Sequence, residues 1–126
     1  MKVLAVTQDR NCLGTISLAL QLRWPGADIL KVLSEDEASG ADPSGFDLVI
    51  VDGSSDGAAT ALIKKLRGHS SVPLLLISDA RGDLKETAQA LIGGADDYVF
   101  KPLDALELVS RMEALIQTAS ASPEEP

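Results

Sequence analysis

The sequence predicts a doubly wound α/β domain built on a parallel sheet. Three observations carry the prediction. Short runs of Val, Ile and Leu recur along the chain, continuous rather than alternating, as in strands buried on both faces. Segments with the 3.6-residue periodicity of amphipathic helices lie between them. The 126 residues suit a single hydrophobic core.

The elements follow in order. Val3-Leu4-Ala5-Val6 reads as the first strand. Cys12, Ile16, Ala19 and Leu20 share one face of a first helix, which stops at Trp24-Pro25-Gly26 because Pro and Gly terminate helices. Ile29-Leu30-Lys31-Val32-Leu33 is a weaker second strand. The segment 34–45, SEDEASGADPSG, has no apolar stripe and carries glycines and a proline, so it predicts at most a short or degenerate second helix. Leu48-Val49-Ile50-Val51 is the third strand. A third helix presents Ala59, Leu62, Ile63 and Leu66 and ends at Gly68. Leu74-Leu75-Leu76-Ile77 is the fourth strand. Leu84, Ala88, Leu91 and Ile92 predict the face of a fourth helix ending at Gly93-Gly94. Tyr98-Val99-Phe100 is a short fifth strand, and Leu108, Val109, Met112, Leu115 and Ile116 line the last helix. Acids at Asp56, Asp83, Asp104 and Glu107 fall at helix starts, where they complement the dipole. The domain is expected over 1–118, and the small, Pro-containing stretch 119–126 as a disordered tail or linker.

Composition narrows the function. The 11 Lys and Arg against 19 Asp and Glu give a net charge of −8, which disfavours direct nucleic-acid binding, since that rests on clustered positive charge. A single cysteine, Cys12, and a single histidine, His69, cannot form a disulfide or a Cys/His zinc cluster. Cys12, at an apolar helix position, reads as a core thiol, and His69 as a solvent-facing residue. No apolar run is long enough for a membrane span, and no phosphate-binding glycine loop is present. A cytoplasmic domain is expected.

In an open parallel sheet, ligands bind beyond the carboxyl ends of the strands, where the winding reverses. Those ends carry Thr7, Gln8 and Asp9, then Asp52, then Ser78 and Asp79, then Lys101 and Pro102. An aspartate, a hydroxyl and a lysine converging there can handle an anion. The carboxylate serves as nucleophile or metal ligand, the hydroxyl bonds a phosphoryl oxygen and the lysine neutralises another.

The stretches FDLVIVD (46–52), VPLLLIS (72–78) and GADDYVFKPLDALEL (94–108) resemble the CheY-like receiver domain of two-component response regulators, over roughly the whole folded part of the chain. The resemblance implies a flavodoxin-like five-stranded parallel sheet of order 2-1-3-4-5. It also implies that Asp52 accepts a phosphoryl group from a histidine kinase or phosphotransfer protein. Ser78 then corresponds to the hydroxyl residue that turns toward the phosphoryl oxygen, and Lys101 to the lysine paired with the phosphoacceptor. A cis Lys101–Pro102 bond would aim that lysine inward. Tyr98 corresponds to the switch aromatic, and Ser78 and Tyr98 together to the switch. Such a domain is a conformational switch and not a turnover enzyme, with at most slow self-dephosphorylation.

Three departures bear on the chemistry. The family's adjacent acidic pair, which holds Mg2+, is replaced by Thr7 and Gln8. The metal ligands the resemblance implies are then Asp52 and the backbone carbonyl of Ser54, with Asp9 a further candidate. Neither Thr nor Gln brings charge, so Mg2+ binding is expected to be weak or absent and phosphorylation by small donors slow. The loop Gly53-Ser54-Ser55-Asp56-Gly57 is shorter than the family's and lacks its proline. Asp79 places an acid where the family prefers a small residue.

The implied partners are the kinase or phosphotransfer protein and an output domain or protein. A homodimer through the fourth helix, fifth strand and last helix, with Asp97, Glu107 and Arg111 as charged residues, is a further expectation. Two alternatives stay open. One is a pseudo-receiver acting by protein contact without phosphorylation. The other is a small flavodoxin-like ligand-binding domain, which a bound flavin would reveal by colour. Arg81-Gly82-Asp83 reads as a plain loop before the fourth helix.

Overall fold

The computed structural model describes residues 1–32, 38, 40–53, 58–78 and 84–120. Five strands form one parallel sheet: β1 (Lys2–Val6), β2 (Asp28–Val32), β3 (Leu48–Asp52), β4 (Leu74–Ser78) and β5 (Asp97–Phe100), in the order β2-β1-β3-β4-β5. The register pairs Val6 with both Val32 and Val51, Asp52 with Ile77, and Ser78 with Phe100. The predicted order is the one found.

Four α-helices are described: α1 (Arg10–Arg23), α2 (Ala58–Arg67), α3 (Leu84–Gly93) and α4 (Ala105–Ser120). The continuous apolar strands divide by parity between the two faces of the sheet. Val3, Ala5, Leu48, Ile50, Leu75 and Ile77 pack with Cys12, Ile16, Ala19 and Leu20 of α1 and with Leu108 and Met112 of α4. On the other face Leu4, Val6, Val49, Val51, Leu74 and Leu76 meet Ala59, Leu62, Ile63 and Leu66 of α2, together with Ala90 of α3. The stripes expected for the first and third helices are therefore the buried ones.

The fourth predicted helix packs Leu91 on the core as expected, but it corrects the sequence reading at Ala88 and Ile92. Ala88 is exposed and Ile92 is 86% exposed, while Thr87 and Ala90 are buried. The helix is rotated so that a hydroxyl faces inward, and Thr87 Oγ1 donates to Ser78 Oγ at 3.3 Å. An apolar count cannot anticipate that pairing, because Ser78 lies on another element.

The expected short second helix falls mostly outside the described residues. Of that segment, Pro43–Gly45 form a 3-10 turn capped by the Asp42 side chain. The last helix runs through Ser120, two residues past the expected domain end, and 121–126 lie outside the described residues. The same holds for Ser54, Asp56, Asp79 and Arg81-Gly82-Asp83. His69 is exposed, as expected.

The loop between α3 and β5 is held from α2. Arg67 donates through Nε and Nη2 to the Gly94 carbonyl at 3.1 and 2.8 Å. It also pairs with Asp96 at 2.7 Å, and the same Asp96 oxygen accepts from the Leu74 amide. Gly94 takes φ +134°, and a Cβ there would lie 2.9 Å from Arg67 Cβ, so glycine alone fits.

Candidate functional site

The site lies at the carboxyl edge of the sheet, where the winding reverses between β1 and β3. Parallel register brings the ends of β1, β3, β4 and β5 to one edge, and the residues beyond them meet. Asp52 closes β3, Thr7 follows β1, Ser78 closes β4 and Lys101 follows β5. Gly53 turns the chain out immediately after Asp52. Its amide donates to the Ile77 carbonyl at 2.7 Å, and a Cβ would lie 3.0 Å from that same oxygen.

Asp52 is the centre of the arrangement, with its side chain only 10% exposed. The Lys101 ammonium lies 3.2 Å from each carboxylate oxygen and donates to Oδ2. Thr7 Oγ1 donates to the same Oδ2 at 2.7 Å. Oδ1 is buried and accepts no hydrogen bond among the described residues. Thr7 is itself buried, and its hydroxyl oxygen accepts from the Asp9 amide at 3.0 Å.

Asp9 is the N-cap of α1. Its Oδ1 accepts from the Asn11 and Cys12 amides at 2.9 and 3.3 Å. Its Oδ2 accepts from Lys101 at 3.2 Å, so one ammonium serves two carboxylates. The sequence signal for this was present, since an aspartate directly before a helical stripe is a cap signature. The lysine hydrogen bond, followed by the Cys12 amide, holds the Asp9 carboxyl below the usual carboxylate range. For Lys101, burial acts to lower the pKa. The hydrogen bond and charge of Asp52, reinforced by Asp9, outweigh it and raise the ammonium above the ordinary lysine range. Burial, and then the charge of Asp52, push the Cys12 thiol up to about 12, so it stays protonated, as a core thiol should.

The remaining candidates are placed as follows. Ser78 is buried, and its carbonyl accepts from the Lys101 amide at 2.8 Å. Its hydroxyl is turned to Thr87 of α3. Tyr98 is half-buried and packs edge-to-face on Phe100 at 5.3 Å. The Lys101–Pro102 peptide is cis. Gln8 is exposed, and Ser54 lies outside the described residues. A cleft of about 410 Å³ opens beside Lys101, lined by Asp9, Asn11, Thr15 and Leu103 among others.

Among the described residues the donor set does not match what Mg2+ takes, which is hard oxygens in octahedral array. Asp9, Cys12 and Asp52 offer three ligand atoms within 4.8 Å of one another. One of them is a protonated thiol, and both carboxylates already share Lys101. Thr7 turns a proton, not a lone pair, toward Asp52.

Comparison with known proteins bears on the family and the fold. No protein-family model matches the chain. RegX3, a sensory transduction protein of Mycolicibacterium smegmatis, is 35% identical over 123 residues, covering 93% of this chain and 51% of that protein. RcaC of Microchaete diplosiphon is 33% identical over 129 residues, covering 98% of this chain and 19% of that protein. A two-component response regulator from Clostridium difficile has TM-score 0.80 at 26% identity, over 94% of this chain and 98% of that one. The chain spans about half the length, or less, of these curated relatives. Fold and site together define a flavodoxin-like α/β domain with an acid–lysine pocket at its topological switch point. Within that class, the chain belongs to the receiver domains of two-component response regulators.

Proposed function

We propose that the domain accepts a phosphoryl group on Asp52 from a histidine kinase or phosphotransfer protein and shifts conformation to control an output domain or partner. The observation that carries this is the Asp52 carboxylate held by Lys101 at the carboxyl edge of the sheet, one strand from the Ser78 hydroxyl. Lys101 faces Asp52 where charge on a transferred phosphoryl group would develop. Ser78 supplies a hydroxyl on the neighbouring strand. The relative RegX3, named as a sensory transduction protein, supports an output role. In this reading the domain is a cytoplasmic phosphoprotein and a switch, with at most slow self-dephosphorylation. It works without a resident Mg2+ ion, because Thr7 and Gln8 stand where the family carries acids.

Incubation with phosphoramidate, followed by intact mass spectrometry, tests the acceptor role. One phosphoryl increment is expected on the wild type, arriving slowly because Oδ1 is buried, and none on Asp52→Asn. Absence of any increment on the wild type overturns the reading. It would leave the pseudo-receiver, which is favoured by one observation: the Asp52 carboxylate already accepts from Thr7 and Lys101, and Lys101 is shared with Asp9.

A homodimer through α3, β5 and α4 is part of the same proposal. Ile92 and Leu106 are 86% and 71% exposed on those helices, and Asp97 of β5 pairs with Arg111 of α4 at 3.1 Å. Sedimentation of the phosphorylated domain should show self-association that Ile92→Glu removes. A monomer at high concentration in both states would dismiss it.

A further inference from the structure

We infer that Thr7 is a positioning residue that commits Oδ2 of Asp52 to the resting network and leaves Oδ1 as the phosphoryl-accepting atom. The inference rests on the reading of Asp52 as acceptor and adds which oxygen reacts and what selects it.

The hydrogen-bond inventory fixes the direction of each contact. A threonine hydroxyl has one proton and two lone pairs. The Asp9 amide donates to Thr7 Oγ1 at 3.0 Å and so takes one lone pair. Asp52 Oδ2, 2.7 Å away, is a carboxylate oxygen, so the hydroxyl proton must point at it. The amide and the carboxylate together fix the rotamer of a buried side chain. Lys101 donates to the same Oδ2 at 3.2 Å. Its ammonium is equally 3.2 Å from Oδ1, so Thr7 is what distinguishes the two oxygens: its hydroxyl withdraws electron density from Oδ2 and, with Lys101, holds the carboxylate plane. The other oxygen, Oδ1, carries lone pairs that no hydrogen bond engages among the described residues.

Reaction at Oδ1 is balanced with an N-phosphoryl donor. A lone pair on Oδ1 forms the new O–P bond. The P–N bond of the donor breaks, its electron pair stays on nitrogen, and the leaving amine or imidazole takes a proton from water. Thr7 O–H and Lys101 N–H remain on Oδ2, which becomes the carbonyl oxygen of the acyl phosphate. Removing the Thr7 hydroxyl frees the carboxylate to rotate and spread its hydrogen bonds over both oxygens.

The experiment compares full-length wild type, Thr7→Val and Thr7→Ser with phosphoramidate in excess chelator, reading labelling rate by intact mass and stability by urea unfolding. The shape-matched Thr7→Val should label about tenfold more slowly than wild type, by more than any change in its unfolding midpoint explains, and Thr7→Ser should restore the rate. If Thr7→Val does not fold, Thr7→Ala takes its place in the comparison. Labelling of the hydroxyl-free variant at the wild-type rate overturns the role of Thr7 while leaving Asp52 as acceptor. A wild type that is never labelled, with chelator or with Mg2+, overturns both.

Discussion

Lys101 is the residue on which the pocket's charge balance turns. It is the shared counter-ion of Asp9 and Asp52, and its removal leaves two carboxylates facing each other. Lys101→Met should cost about 2 kcal/mol through the contact with Asp52, the magnitude of a largely buried hydrogen bond between charges. The pH dependence has two limbs. Asp9 is depressed from 3.8, so its contribution is present above that value and lost as pH falls through the folded-state pKa. Lys101 is raised from 10.5, so its contribution is present below that value and lost as pH rises through the raised pKa. The stability gap between wild type and Lys101→Met should therefore be widest between pH 3.8 and 10.5 and narrow at both extremes. Urea unfolding across pH measures it, and a gap independent of pH would contradict the assignment. Asp9→Asn, which keeps a capping oxygen but no charge, should lower stability less than Asp9→Ala, which loses both.

At the scale of elements, a hydroxyl pair couples α3 to the site. Thr87 and Ser78 join the helix to the end of β4 inside the core. The single variants Ser78→Ala and Thr87→Val and their double variant form a cycle, in which the pair should show a coupling of about 1 kcal/mol. Additive effects would mean the hydroxyls do not communicate. This contact also shows where sequence reading fails. Periodicity chose Ala88 and Ile92 for the inner face because both are apolar, and nothing local marks Thr87 as the residue with a partner waiting inside. By contrast, the α1 and α2 stripes were legible because every inward residue is apolar and packs on apolar strands. Asp9 lay between these cases. Its capping role could be read from its position, but its contact with Lys101, 92 residues away, could not.

Over the whole molecule the strand order decides which substitutions matter. β3 lies at the centre of the sheet and β2 at its edge. Ile50 of β3 is 1% exposed and Leu30 of β2 is 48% exposed. Ile50→Ala should cost ~2–5 kcal/mol and Leu30→Ala less than ~1 kcal/mol, both read from urea midpoints. Comparable costs would argue against this order. The parallel sheet was legible because uninterrupted apolar runs suit strands covered on both faces, whereas the order of the strands came from the family resemblance. The pocket was legible as a set of residues, Asp52, Ser78 and Lys101, at strand ends. Its internal connections were not, since Thr7 first looked like a lost ligand and proves to be a donor to Asp52.

The bridge from Lys101 to two acids has one more consequence. A counter-ion carried on a side chain has a fixed stoichiometry and no dissociation constant. The positive charge that faces Asp9 and Asp52 in the resting pocket is therefore supplied by the fold and not drawn from solution.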